Sequence, residues 1–353
     1  MTTTTHICER CGKNFKQKSH LGAHMKRKRP CKKDDTLTKL VEPRVDEKVK
    51  ELVNIRTIVK TSPKSTKLTK KEAKEKQEKD IVEIKKETLE DVRDDTITLL
   101  RGDCLERMKE IPDDSVDLIL CDLPYGSTKC KWDSIISLDK LWEHYKRVIK
   151  KPSGVILLFG QQPFTSMLVS SNYEWFKYNI IWKKNKTTQY LLANYRPMKC
   201  TEDICVFSSG GAAAASRHKG NMTYNPQGLI PVDIKKKNSK GRIGKMLNQS
   251  HHLGPNNKLI SDCEYSQKFT NYPTELINFD IEYDTIHETQ KPVNLIEYLI
   301  KTYSHEGGTV LDNTMGSGTT GIGCKNTNRK FIGIELNELY FKLSKYRICK
   351  SHT

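Results

Sequence analysis

From about residue 96 onward the chain repeats one pattern: a short apolar run, an amphipathic stretch, then another run. The runs cover residues 97–100, 116–121, 155–159, 178–182, 203–207, 309–312 and 331–335. Apolar runs of this length suit strands covered on both faces, and the helical patterns between them suit crossover connections. The spacing predicts an α/β domain over residues 96–353, with a largely parallel sheet between helical layers. Residues 209–285 break the rhythm, being rich in Gly, Asn, Lys and His, with a basic run at Lys235, Lys236, Lys237, Lys240 and Arg242. Such a stretch reads as an insertion on one face, outside the sheet core.

Upstream the texture changes. Residues 32–95 mix Lys, Glu, Asp and Thr with too little apolar surface to fold alone, which predicts a charged linker or a solvated helix. Residues 1–31 carry Cys8-x2-Cys11-x12-His24, the ligand spacing of a ββα zinc finger, with Phe15 and Leu21 where such a finger keeps its small core. No His follows within five residues of His24, so Cys31 is the expected fourth ligand. His20 is a weaker candidate because the helix turns it away from His24. A unit this small buries little apolar area, so one structural Zn2+ must supply the folding energy. By register with DNA-reading fingers, Gln17 and His20 face a groove, flanked by Lys18.

Composition limits the partners. The formal charge of +18 attracts a polyanion such as nucleic acid. No run of about 18 apolar residues offers a membrane span. Eleven cysteines without a secretory signal imply reduced thiols and an intracellular setting, cytoplasm or nucleus.

Two strand ends carry the chemistry. Residues 309–320 read as a buried strand, a glycine turn and a helix, a turn that lets backbone approach a ligand. About twenty residues on, a second strand ends in Glu335, where dinucleotide-type sheets place the carboxylate that accepts ribose hydroxyls. A nicotinamide cofactor fits these facts equally well. The other strand ends in Asp122-Leu123-Pro124-Tyr125. An exocyclic base nitrogen is a poor nucleophile, so a site that alkylates it needs acceptors for its two amino hydrogens. The Asp122 carboxylate and the Leu123 carbonyl suit that role, held by Pro124, while Tyr125 suits stacking on a base turned out of the duplex.

In these blocks, and in their order, the chain resembles the β-class, circularly permuted amino-DNA methyltransferases, especially adenine-N6 enzymes of phage and large-DNA-virus type. The order is Gly102-Asp103-Cys104, Asp122–Tyr125, Arg196-Pro197-Met198 with Glu202-Asp203-Ile204, the basic insertion, Thr289-Gln290-Lys291-Pro292, and last Asp312–Thr320. The resemblance implies a permuted Rossmann-like sheet that binds S-adenosylmethionine and methylates adenine N6 in double-stranded DNA. It further implies that Asp312, Gly316, Gly318 and Thr319 form the cofactor turn and that Glu335 accepts the ribose. Lys291 then meets the methionine carboxylate, Asp103 lies beside the cofactor's adenine, and Phe159 and Phe164 line the pocket.

Simpler roles stand beside these: a surface charge for Lys291, a helix cap for Asp103, core packing for Phe164. Leu123 and Glu288 depart from the family, which more often has Pro at both places; Glu288 is expected to face solvent. Cytosine N4 is the rival target, and a catalytically silent zinc-finger DNA-binding protein is the rival class. A homodimer and a cognate nuclease are both compatible with the family.

Overall fold

The computed structural model describes residues 6–7, 14–15, 82–84, 86–126, 135–213, 220–237, 264–282 and 290–350, with backbone alone at 6–7, 14–15, 236–237 and 264–265. The chain divides into two compact units, Met1–Lys85 with Asp284–Glu288, and Lys86–Tyr283 with Thr289–Thr353. In the first unit, β1 (His6–Ile7) pairs antiparallel with β2 (Asn14–Phe15), His6 opposite Phe15. The expected metal ligands Cys8, Cys11, His24 and Cys31 lie outside the described residues, as do Gln17, Lys18, His20, Arg242 and Glu288.

The second unit contains, in chain order, β3 (Val92–Arg93), β4 (Ile97–Arg101), α1 (Cys104–Arg107), β5 (Leu118–Cys121), α2 (Leu138–Val148), β6 (Val155–Gly160), α3 (Phe164–Ser171), β7 (Phe176–Thr188) and β8 (Lys199–Phe207). There follow β9 (Ile230–Lys237), β10 (Glu264–Thr270), β11 (Leu276–Asn278), α4 (Val293–Tyr303), β12 (Thr309–Asp312), α5 (Thr319–Asn326), β13 (Lys330–Glu335) and α6 (Glu338–Lys350). One sheet runs β11-β7-β8-β6-β5-β12-β13-β4-β3. From β4 through β13, β12 and β5 to β6 every pairing is parallel, and β8 is antiparallel to both its neighbours.

The alternation of strand residues builds the two cores. Val155, Leu157 and Phe159 of β6 face one way, with Leu295 and Leu299 of α4 and Phe341 of α6. Ile156 and Leu158 face the other, with Leu141, Trp142 and Tyr145 of α2 and Phe164 and Leu168 of α3. A sheet buried on both faces has no polar side to present, which is why its strands read as unbroken apolar runs. No helix among the described residues is long and apolar enough to cross a membrane.

Two expectations change. The strand read at 178–182 is a 13-residue element, β7, which rises past the sheet edge in a hairpin with β8. The tail of the insertion belongs to the sheet: β11 pairs parallel with β7, and Ile277 is buried in the core. An otherwise open edge of β7 exposes unpaired backbone groups, and β11 covers it. Earlier in the insertion, β9 and β10 form a separate antiparallel ribbon that sets exposed Lys235 opposite Ser266. Lys236 and Lys237 lie on the same strand.

Candidate active site

Because β4, β13, β12, β5 and β6 run parallel, their C-terminal tips line one edge of the sheet. That is where open α/β sheets bind ligands. The strand carrying Asp122 and the strand carrying the glycine turn are nearly two hundred residues apart in sequence yet adjacent in the sheet, with Val310 opposite Leu118. Their loops touch: the Thr314 hydroxyl donates to the Asp122 carbonyl at 3.2 Å.

The glycine turn is built from below. Buried Asp312 accepts from the Thr320 hydroxyl at 2.7 Å and the Thr314 N–H at 3.1 Å. Burial pushes its carboxyl up to about 6. Asn313, 1% exposed, accepts on Oδ1 from the Tyr145 hydroxyl at 2.6 Å and the Cys121 thiol at 2.9 Å, which pins the turn to β5 and α2. Gly316 and Gly318 have φ of 51° and 77°, and a Cβ on Gly318 would lie 2.9 Å from that of Ser344. Left-handed backbone and close approach to α6 together require glycine there. Thr319 opens α5, its hydroxyl 3.3 Å from that of Ser317. Arg347 of α6 donates to the Ser317 carbonyl.

Glu335 ends β13 beside this turn. Its oxygens accept from the Gly316 N–H at 2.9 Å and the Asn337 N–H at 2.7 Å. Burial raises its carboxyl to about 7, with Asp312 adding to the effect. A carboxylate has about four acceptor sites, so when ionised Glu335 can also accept from a ribose hydroxyl, and the glycine turn leaves room for backbone contact. Asp103, at the tip of β4, caps α1 by accepting from the Leu105 N–H at 2.8 Å. The Gly102 N–H donates to the Glu335 carbonyl at 3.0 Å, which sets Asp103 beside the same tip.

Beyond β5, Leu123 is buried and anchors the Asp122–Tyr125 loop. Burial does there what a second proline ring would do through stiffness. Asp122 Oδ1 accepts from the Tyr125 hydroxyl at 2.6 Å, while Oδ2 meets the Lys291 ammonium. The Tyr125 ring tilts against Phe164, centroids 5.0 Å apart.

The sequence directed Lys291 towards a cofactor carboxylate. In the structure its Nζ lies between Asp122 and Glu202, 3.0 Å from Glu202 Oε1 and 4.8 Å above the Phe159 ring. Buried Glu202 and half-buried Asp122 together offset the lost hydration of the buried ammonium.

Glu202, at 4% exposure, is the residue that sequence reasoning passed over. It holds Lys184 at 2.6 Å and Lys291 at 3.0 Å, and accepts from the Tyr125 hydroxyl at 3.1 Å. Its signal was weak: an acid in a conspicuous block, whose role depends on the β7–β8 register that sets Trp182 opposite Glu202. Burial alone would raise both acids. Lys291 and Lys184 hold Glu202 below the usual carboxylate range. Asp122 stays above it, because the Glu202 charge adds to burial and Lys291 offsets only part of the sum. Burial pulls the Lys291 ammonium down, but the two carboxylates keep it above the ordinary lysine value. Tyr125 is raised well above its ordinary value by burial and by both acids, so its hydroxyl remains a donor.

The edge thus joins a turn able to cradle a ribose-bearing cofactor to a carboxylate poised for an amino group. A family model described as DNA methylase, of the N6/N4 kind, matches residues 116–346. The DNA adenine methyltransferase YhdJ of Escherichia coli (strain K12) is 28% identical over 266 residues, covering 71% of this chain and 82% of that relative. The Type II methyltransferase M.HinfI of Haemophilus influenzae is 26% identical over 290 residues, covering 73% and 70%. Among solved structures, the M1.HpyAVI–SAM complex aligns with a TM-score of 0.46 at 24% identity, covering 71% of this chain and 99% of that one. With the family match spanning more than half of its 353 residues, the chain belongs to the N6/N4 DNA methylase family.

Proposed function

We propose that the protein transfers a methyl group from S-adenosylmethionine to N6 of adenine in double-stranded DNA. The observation that carries this reading is the contact of the two loops, Thr314 hydroxyl to Asp122 carbonyl, which supports an amino-group acceptor next to a cofactor turn. The similarity to the E. coli adenine methyltransferase supports adenine. The strand order supports a permuted Rossmann-like sheet: β12, which opens the cofactor turn, is late in the chain and central in the sheet.

When bound, the cofactor supplies a sulfonium-activated methyl group. Asp312, Gly316, Gly318 and Thr319 would cradle it, Glu335 would accept from its ribose, and Asp103 would lie on the side of its adenine. On the base side, the free lone pairs of Asp122 and the Leu123 carbonyl accept the two amino hydrogens and turn the nitrogen lone pair towards the methyl group. The amino group would shed a proton on methylation, for which Asp122, its carboxyl raised by burial, would be the acceptor. Tyr125 stacks on the everted base with Phe164 behind it. We assign Lys291 to Asp122 and Glu202, with Phe159 beneath it, in place of the cofactor carboxylate.

At the N-terminus we propose a structural zinc site of Cys8, Cys11, His24 and Cys31. The β1–β2 pairing supports it, since Cys8 and Cys11 fall in the segment joining two antiparallel strands, as a ββα finger requires. Gln17, Lys18 and His20, with Lys235, Lys236, Lys237 and Arg242 in the insertion, are proposed DNA contacts; of the residues 32–95 read as a charged linker, only those before Lys86 keep that proposal, since β3 (Val92–Arg93) pairs with β4 in the sheet. Metal analysis should give one zinc per chain, lost in Cys8→Ser.

Sequencing that detects modified bases on DNA from cells expressing the protein, beside an Asp122→Ala control, tests the activity. N6-methyladenine in one motif, absent from the control, is expected. N4-methylcytosine would move the target to cytosine, and no modified base would overturn the enzyme reading.

A further inference from the structure

The β7–β8 hairpin carries a feature that the cofactor turn and the acid pair leave unexplained. Its tip, residues 189–198, is ordered by its own hydrogen bonds: Leu192 N–H to the Gln189 carbonyl at 2.9 Å, Ala193 N–H to the Tyr190 carbonyl at 3.0 Å, and Arg196 Nη2 to Gln189 Oε1 at 2.9 Å. Yet this folded tip presents apolar side chains to water. Tyr190 is 81% exposed, Leu191 91% and Tyr195 86%. Ordered apolar groups grouped at one protrusion mark a surface built to be covered.

Position and charge identify what covers it. β7 and β6 are both antiparallel to β8, so the tip rises from the edge that carries the site. Lys184 and Glu202, part of the Asp122 network, stand at its base. At about 3.3 Å per residue the tip begins at most roughly 16 Å beyond Lys184. Between Phe176 and Thr201 there are six basic residues and no acidic one. A second copy meeting this tip by two-fold symmetry would bring like charges together. A nucleic-acid duplex meets it with phosphates outside and an apolar stack inside.

We infer that the tip is a wedge that enters duplex DNA beside the target base, with Tyr190, Leu191 and Tyr195 filling the stack the base vacates. Apolar side chains inserted at a base step are a known means of unstacking a duplex. The inference rests on the methyltransferase reading and adds how the base reaches Asp122.

The test uses the full-length protein and two duplexes carrying the motif found by modified-base sequencing, one intact and one with an abasic site opposite the target. Wild-type turnover on the intact duplex is measured first and tests the methyltransferase reading by itself; its absence removes both claims. Tyr190→Ala/Leu191→Ala should then lose kcat/KM on the intact duplex by roughly tenfold or more, since stacking contacts of this kind carry such factors. On the abasic duplex, where no pair must be broken, the variant should stay within about twofold of wild type, and its melting temperature should not move. Equal loss on both duplexes, no loss on either, or dissociation of a dimer accompanying the loss would each overturn the wedge.

Discussion

Replacing Glu202 by Gln tests the charge network that positions Asp122. Glu202, 4% exposed, holds Lys291 at 3.0 Å and Lys184 at 2.6 Å, and both lysines are themselves largely buried. At an effective dielectric constant of about 20, unit charges this close attract by roughly 5–6 kcal/mol per pair. Much of that only offsets the several kcal/mol per ion of lost hydration, a cost the amide does not bear. Gln still accepts from Tyr125, and Lys291 keeps Asp122. What remains is the uncompensated charge of Lys184, so the net loss of stability should be about 3 kcal/mol. For a domain of this size that is a fall in melting temperature of roughly 6–12 °C. A second readout is specific to the site. Glu202 helps hold the Asp122 carboxyl up, so E202Q lets it fall. The acid limb of the methylation profile, where Asp122 loses its charge, should move to lower pH. A melting shift under about 2 °C, or an acid limb that stays in place, would refute the coupled network.

Lys291→Met should act in the opposite sense: without the ammonium the Asp122 carboxyl rises further, so the acid limb moves to higher pH and kcat near neutrality falls at least about tenfold. Cofactor affinity should weaken as pH falls below about 7, where Glu335 takes up a proton and loses acceptor capacity; isothermal titration at pH 8 and pH 6 should show this in the wild type and not in Glu335→Gln. The free protein should respond oppositely. Glu335 and Asp312 are raised in the fold, so their contribution to stability is full at low pH and is lost as pH rises through about 6 to 7; melting curves of wild type and Glu335→Gln over that range check the sign. Gly318→Ala meets both a φ of 77° and a 2.9 Å contact to Ser344, and should lose about 2 kcal/mol or more in urea unfolding, with weaker cofactor binding.

Much of this molecule was legible in the chain because its signals are local. Apolar runs buried on both faces announced the parallel sheet, and the strands at 97–101, 118–121, 155–160, 309–312 and 330–335 fall where those runs fall. The Gly316–Gly318 turn, Glu335 at a strand end and the Asp122–Tyr125 tetrapeptide were readable for the same reason, since each depends on residue types in a short span. Long-range register carried no such signal. That Lys291 turns to Asp122 and Glu202, that Asn313 is pinned by Tyr145 and Cys121, and that β11 closes the edge of β7 all depend on which strand lies beside which. Side-chain chemistry chose the candidates, while strand pairing decided which charges share one buried space. An ionic partner is selected by distance and desolvation, and neither exists until the sheet has formed.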